Sequence, residues 1–316
     1  MNKTKQLSGA VILGIAQKNI TLLVLVLLLV VSSILSPNFL TAQNIFNLFR
    51  QHSGTAIVSI GMLLVILTGG IDLSVGSIVA LSGVLCAYFM QTMSLPLAIL
   101  LTVLCACLVG TVTGYFVSFQ KVAPFVVSLA SMTAARGIAY IVSRGTPIAV
   151  KNPVILAFGK GSLLRIPFPA IAMILVVLAV SFLLKYTSTG RFIQAIGSNE
   201  TSVRLSGIQV NRYKWLVYIL AAACCALAGI ISDGRAGVGS PNIAEGMELD
   251  AIAACVIGGA SLSGGYGTAS NTLIGMLILG LIGNIMNLMN IANYPQQVIK
   301  GVIIIAAVLL QKRKDS

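Results

Sequence analysis

The chain has 316 residues, of which 57% are apolar and only 9% charged, and its formal net charge is +13. Soluble domains carry roughly 25% charged residues, so a mean hydropathy of +1.00 excludes a soluble globular protein and indicates a single membrane domain over residues 1–316, in contact with lipid. The positive charge does not indicate nucleic acid, because the basic residues are scattered at segment ends with no aromatic-interleaved basic face, the distribution that orients helices in a membrane.

A spanning helix needs about 20 mostly apolar residues. Ten segments meet or approach that length, near 20–36, 52–68, 74–92, 95–120, 124–143, 167–186, 213–232, 248–262, 268–290 and 294–311. The expected fold class is all-α and polytopic, since lipid offers backbone groups no partner and these runs lack the alternating polarity of a barrel. With the N-terminus inside, twice as many basic residues fall inside as outside, which places both termini in the cytoplasm.

In chain order, Lys3, Lys5 and Lys18 before Ile20–Leu35 resemble a signal peptide, but the apolar stretch is long and no A-x-A site follows. It reads as an uncleaved span. "AQNIFNLFR", Ala42–Arg50, is too short and polar to span and predicts an amphipathic helix at the outer interface. His52, the lone histidine, has no carboxylate nearby in sequence and reads as interfacial.

"TGGIDLSVGS", Thr68–Ser77, lies between two apolar runs. Gly69 and Gly70 end one helix, and Asp72 or Ser74 caps the next by accepting from its free N–H groups. The alternative reading puts Asp72 and Ser74 on a solute path. A fainter copy follows: "GIDLSVGSIVA" (Gly70–Ala80) aligns with "GMELDAIAACV" (Gly246–Val256), matching Asp72 to Glu248, with the breaks facing opposite sides as in an inverted repeat.

Ser128, Ser131 and Ala135 give the fifth segment a small, polar-tolerant face that suits either a path or close helix packing. Arg136 either snorkels outward or pairs with carbonyls of a broken neighbour. Arg144, Lys151, Arg165 and Arg235 fall outside, where they either snorkel at the outer face or are candidate docking contacts for a partner. The longest inner loop, Thr187–Arg212, is polar and mixed in charge. Within it Asn199 or Thr201 opens a short helix that Gly207 stops, with Glu200 and Arg204 four apart on one face. Gly197, Asn199, Glu200, Arg204 and Gly207 are therefore the candidate contact with a soluble partner. Asn284, Asn287, Asn290 and Asn293 recur every three residues, so their amides bond either a polar solute or neighbouring helices.

No catalytic residue, cofactor or metal site is expected. There is no G-x-x-x-x-G-K-[ST] and no H-E-x-x-H, and "GGASLSGGYGT" (Gly258–Thr268) lacks the lysine of a phosphate loop and reads as a tight turn. The six cysteines sit inside apolar segments without C-x-x-C spacing. A transport subunit without its own nucleotide chemistry follows, with an ion-coupled secondary transporter as the alternative.

"ILTGGIDLSVGSIVALSG", "STGRFIQAIGSNETSVRLSGI" and "GMELDAIAACVIGGASLSGGYGTASNTLIGMLILG", in that order, resemble the membrane permease of ribose-type (simple sugar) ABC importers. The resemblance runs from "LSPNFLTAQNIFNLFRQ" to the basic tail. It implies a type II, vitamin-B12-importer-like permease of the bacterial inner membrane, with ten spans per subunit, working as a homodimer. It also implies a cytoplasmic ABC ATPase subunit, commonly with two fused ATPase domains, and a periplasmic sugar-binding protein. In such a permease Gly197–Gly207 matches the ATPase-contacting element, and residues 187–212 form the cytoplasmic coupling loop. Relatives of this kind carry ribose, xylose, arabinose, allose and other sugars, and the motifs do not separate them.

Overall fold

The computed structural model describes residues 20–292, 294–303 and 305. The basic N-terminal segment, Asn293 and the Lys312–Lys314 tail lie outside the described residues. The helices are α1 (Ile20–Leu35), α2 (Ala42–Leu67), α3 (Val75–Phe89), α4 (Leu95–Ser118), α5 (Pro124–Ser143), α6 (Pro153–Lys160), α7 (Phe168–Tyr186), α8 (Ser188–Ser198), α9 (Glu200–Leu205), α10 (Val210–Ala236), α11 (Met247–Ile257) and α12 (Ala269–Leu288). Residues 294–303 are again helical and are denoted α13. Two short antiparallel pairs complete the described fold: β1 (Ile148–Ala149) with β4 (Val238–Gly239), and β2 (Ser162–Leu163) with β3 (Ile166–Pro167).

Local chemistry explains the boundaries. α4, α5, α6 and α7 carry proline in the first two positions, where its missing N–H costs nothing. Thr41, Asn152, Thr187, Asn199 and Thr268 each accept a backbone N–H of the first turn of the helix they precede.

Among the described residues, six helices are long and apolar enough to cross a membrane: α2, α4, α5, α7, α10 and α12. α1 and α3 are shorter apolar helices. Two expected boundaries are corrected. Ala42–Arg50 is not a separate interfacial helix; it continues without a break into α2, a helix of 26 residues. The segment expected near 248–262 is helical over only 11 residues, Met247–Ile257, because residues 241–246 form turns, with Ala244 and Gly246 left-handed, and Gly258–Gly259 end it.

The core is built on α2, α3 and α10. α3 is buried almost all round, from Val75 to Ala87, as is α2 from Ala56 to Leu67. α4, α5 and α7 stand outside and expose Leu100, Leu104, Leu108, Leu129, Leu175 and Phe182. Between lipid-bathed helices apolar burial gains little, so association rests on close packing and interhelical hydrogen bonds. Accordingly Gly110 and Gly114 let α4 lie against Tyr218 and Trp215 of α10, and Thr113 and Ser131 share a 2.7 Å hydrogen bond between α4 and α5.

Candidate functional site: two broken segments and a polar loop

The chain breaks where "TGGIDLSVGS" lies. α2 stops at Leu67, Gly69 takes φ +76°, and the chain runs without helix to Val75. Asp72 is 1% exposed, and its Oδ1 accepts the Ser74 N–H at 2.8 Å and the Ser74 hydroxyl. Ser74, the N-cap residue of α3, makes no side-chain cap bond, and Asp72 bonds Ser74 itself, closing the turn just before the helix. Tyr218 of α10 is fully buried beside this turn: a Cβ on Gly70 would lie 2.7 Å from its hydroxyl.

A second break follows α10. After α10 ends at Gly237 (φ +76°), β4 pairs with β1, and residues 240–246 run as an arm to Met247, where α11 begins. Arg136 of α5 reaches across and donates from Nη1 to the carbonyls of Pro241 and Ile243, the latter at 2.8 Å. Its guanidinium serves carbonyls that a broken segment leaves free. The starts of the two half-length helices meet: a Cβ on Gly76 would lie 2.5 Å from both the Ala244 carbonyl oxygen and Glu248 Oε2. Glu248 thus places a carboxylate against the N-terminal turn of α3, where the helix dipole favours negative charge.

The first break belongs to a junction of three elements. The N–H of Gly265 donates to the Leu67 carbonyl at 3.0 Å, tying the glycine-rich turn after α11 to the end of α2. α8 ends against the same spot, where a Cβ on Gly197 would fall 1.9 Å from the Leu67 oxygen. α9 follows, opened by Asn199, whose Oδ1 accepts from the Ser202 N–H at 2.9 Å, and stopped by Gly207 at φ +81°. This face is the loop end of the molecule; β1, β4 and α6 mark the opposite, hairpin end.

A family model described as "Branched-chain amino acid transport system / permease component" matches residues 44–308. The ribose import permease protein RbsC of Escherichia coli (strain K12) is 42% identical over 300 residues, covering 93% of this chain and 94% of that protein. RbsC of Bacillus subtilis (strain 168) is 44% identical over 306 residues, covering 96% and 95%. The L-arabinose transport system permease protein AraH of Escherichia coli (strain K12) is 36% identical over 295 residues, covering 93% and 90%. The chain belongs to the ribose-type family of sugar ABC permeases. It is a multi-pass membrane transport subunit of that family, and no solved structure matches it.

In the permease, Glu200 gathers three cations: Lys214 at 2.9 Å, Arg204, and Lys121 at 3.9 Å. Burial alone would raise its carboxyl, but hydrogen bonds from Lys214 and Arg204 and the charges of Lys214 and Lys121 hold it below the ordinary glutamate value. The Lys121 ammonium is itself pushed down, because burial and the nearby charges of Arg204 and Lys214 outweigh the pull of Glu200. Glu200 is therefore engaged within the permease rather than left for a partner. Leu205, 85% exposed, is the apolar residue α9 presents outward.

Arg144, Lys151, Arg165 and Arg235 are all exposed at the hairpin end. Lys151 borders a pocket of about 530 Å³ that Ala87, Gln91 and Asn152 also line. Members of the asparagine stripe and the serine face have partners within the chain. Asn284 exchanges amide hydrogen bonds with Asn44 of α2 at 2.8 and 3.0 Å, and Asn287 accepts from Gln296 of α13 at 2.8 Å. Amides in an apolar interior satisfy one another first. Ser128 is fully buried and donates to the Phe125 carbonyl at 3.2 Å, while Ser131 is used on α4. Among the described residues no cluster of His, Cys, Asp or Glu could hold a metal. Sequence reasoning missed Asn242, Glu245 and Tyr140 as neighbours of the second break; the only signal was the faint alignment that placed Glu248 opposite Asp72.

Proposed function

We propose that this permease forms the membrane path by which a bacterium imports a monosaccharide of the ribose or arabinose kind. A periplasmic sugar-binding protein delivers the sugar, and a cytoplasmic ABC ATPase, with two fused ATPase domains, supplies the work. The observation that carries this reading is the near-full-length likeness to ribose import permeases, 44% identical over 96% of the chain in one case. The permease acts as one domain, residues 1–316, paired with a second copy. Each subunit crosses the inner membrane ten times in a type II arrangement, with both termini in the cytoplasm. Two units support an inverted repeat: residues 68–74 leading into α3 from the loop end, and residues 240–246 leading into α11 from the hairpin end.

The loop end is the cytoplasmic face in this reading. Residues 187–212 couple to the ATPase, α9 transmitting its closure through Gly197 to the first break. The hairpin end faces the periplasm, where Arg144, Lys151, Arg165 and Arg235 receive acidic groups of the binding protein. Asp72 and Ser74 hold the first break in shape.

The test is sugar uptake into proteoliposomes containing the permease, its ATPase and the loaded binding protein. Uptake should require ATP on the ATPase side and persist when ion gradients are collapsed. Uptake driven by an ion gradient without ATP would overturn the reading. Sugar binding by the partner binding protein, measured separately, identifies the cargo.

A further inference from the structure

The second break carries an inference about where the solute passes; it rests on the permease reading above. α10 has 27 residues and, at about 1.5 Å per residue, is about 40 Å long, enough to run from the loop end to the hairpin end. The chain then turns back. The 11 residues of α11 cover only about 16 Å before the turn at the loop end, about half of a hydrocarbon core about 30 Å thick. Met247 therefore lies near mid-depth, and residues 240–246 descend to it from the hairpin end as non-helical backbone.

Such backbone is tolerated inside a membrane only where protein buries it or where it lines a water-filled cavity. The arm meets the first condition on one side only. Its inner side is fixed: Arg136 holds the carbonyls of Pro241 and Ile243, and Ala244 packs against Gly76 of α3. Its outer side is open and polar: Asn242, Glu245 and Gly246 are exposed. A carboxylate and an amide facing lipid at this depth would each cost several kcal/mol, roughly. Tyr140, whose hydroxyl donates to Asn242 Oδ1, holds that amide in one orientation.

We propose that the arm 240–246 lines the translocation path, and that Asn242 and Glu245 offer hydrogen bonds there to a neutral polyhydroxylated solute. A carboxylate accepts from two neighbouring hydroxyls and a primary amide both donates and accepts, the pairing a sugar needs. Arg136 and Tyr140 act as positioning residues: they touch the arm and fix where it stands.

Single cysteines at Asn242 and Glu245, each treated with a charged, membrane-impermeant thiol reagent in the assembled transporter, test this. Leu108→Cys is the lipid-facing control, since Leu108 of α4 is 63% exposed on an apolar helix. The unsubstituted permease gives the background of its native cysteines. N242C and E245C should react at least about tenfold faster than L108C, because the reactive thiolate forms in water and not in hydrocarbon. The labelling rate needs only inserted protein, so it decides even if a substitution lowers uptake. In parallel, E245Q should raise the KM for uptake or lower its kcat severalfold at unchanged permease yield, while R136K should slow uptake less than R136A. Labelling of N242C and E245C no faster than L108C would overturn the proposal even with ATP-driven uptake intact. Fast labelling together with unaltered kinetics in E245Q would overturn the sugar contact. Absence of ATP-driven uptake by the unsubstituted protein would instead defeat the permease reading.

Discussion

Glu200 and Lys214 meet at 2.9 Å, and this pair fastens α9 to the start of α10. Arg204, four residues on along the same short helix, closes on the other carboxylate oxygen. A helix of 6 residues is too short to be stable alone in water. Its rigidity comes from these contacts and from the Asn199 cap, and a rigid element is what a coupling contact requires.

Reversing the centre of that cluster should uncouple the permease without unfolding it. E200K places a fourth cation beside Lys121, Arg204 and Lys214, while the membrane helices keep their packing. The expected result is normal membrane yield with reduced co-purification of the ATPase and reduced sugar-stimulated hydrolysis. Full stimulation in E200K would reduce residues 187–212 to a connector.

Acid should loosen the same element. A carboxyl held below its unfolded value contributes stability above that value and loses it as pH falls through the depressed one. Glu200 is such a group. α9 amides should stay protected from hydrogen exchange near neutrality and lose protection in acid, at pH below the ordinary glutamate range. In E200Q that acid-dependent loss should be absent.

Two glycines of the loop should differ sharply. G197A drives a methyl to 1.9 Å from the Leu67 oxygen and 2.3 Å from the Gly265 nitrogen, so backbone at the junction must separate. G207A meets nothing within 4 Å and pays only for its left-handed φ of +81°, about 1–2 kcal/mol. Uptake should be nearly lost in G197A and largely kept in G207A at matched yield.

At the first break, D72N keeps an Oδ1 to accept from Ser74 and should retain most transport and folded yield. D72L leaves the Ser74 N–H unpaired in a buried site, at a cost of about 1–3 kcal/mol, and should lower both. A D72N permease that assembles normally but does not transport would show that the charge itself is required.

At the hairpin end, charge reversal at Arg144, Lys151, Arg165 or Arg235 should slow association of the binding protein more than it changes permease yield. The effect should shrink as salt rises, since exposed charges are screened over about 8 Å at physiological ionic strength. Stopped-flow association rates at two salt concentrations measure it.

Composition and order of residues determined the class, the approximate places of the apolar segments, the break at Gly69–Gly70, the short helix from Asn199 to Gly207 and the family. These are local features: a run of apolar residues, a proline, a cap or a glycine acts on the few residues around it whatever the rest of the chain does. The sequence also limited Arg136 to two fates without choosing between them. Tertiary structure decided what depends on partners distant in the chain. Arg136 meets Pro241 and Ile243 more than 100 residues away, and Asn284 meets Asn44 at the far end of the chain. Glu248 comes to the start of α3 only because residues 240–246 fold back from the end of α10. A buried polar group takes whichever partner packing brings within hydrogen-bond reach, and packing is a property of the assembled helices, not of any one segment.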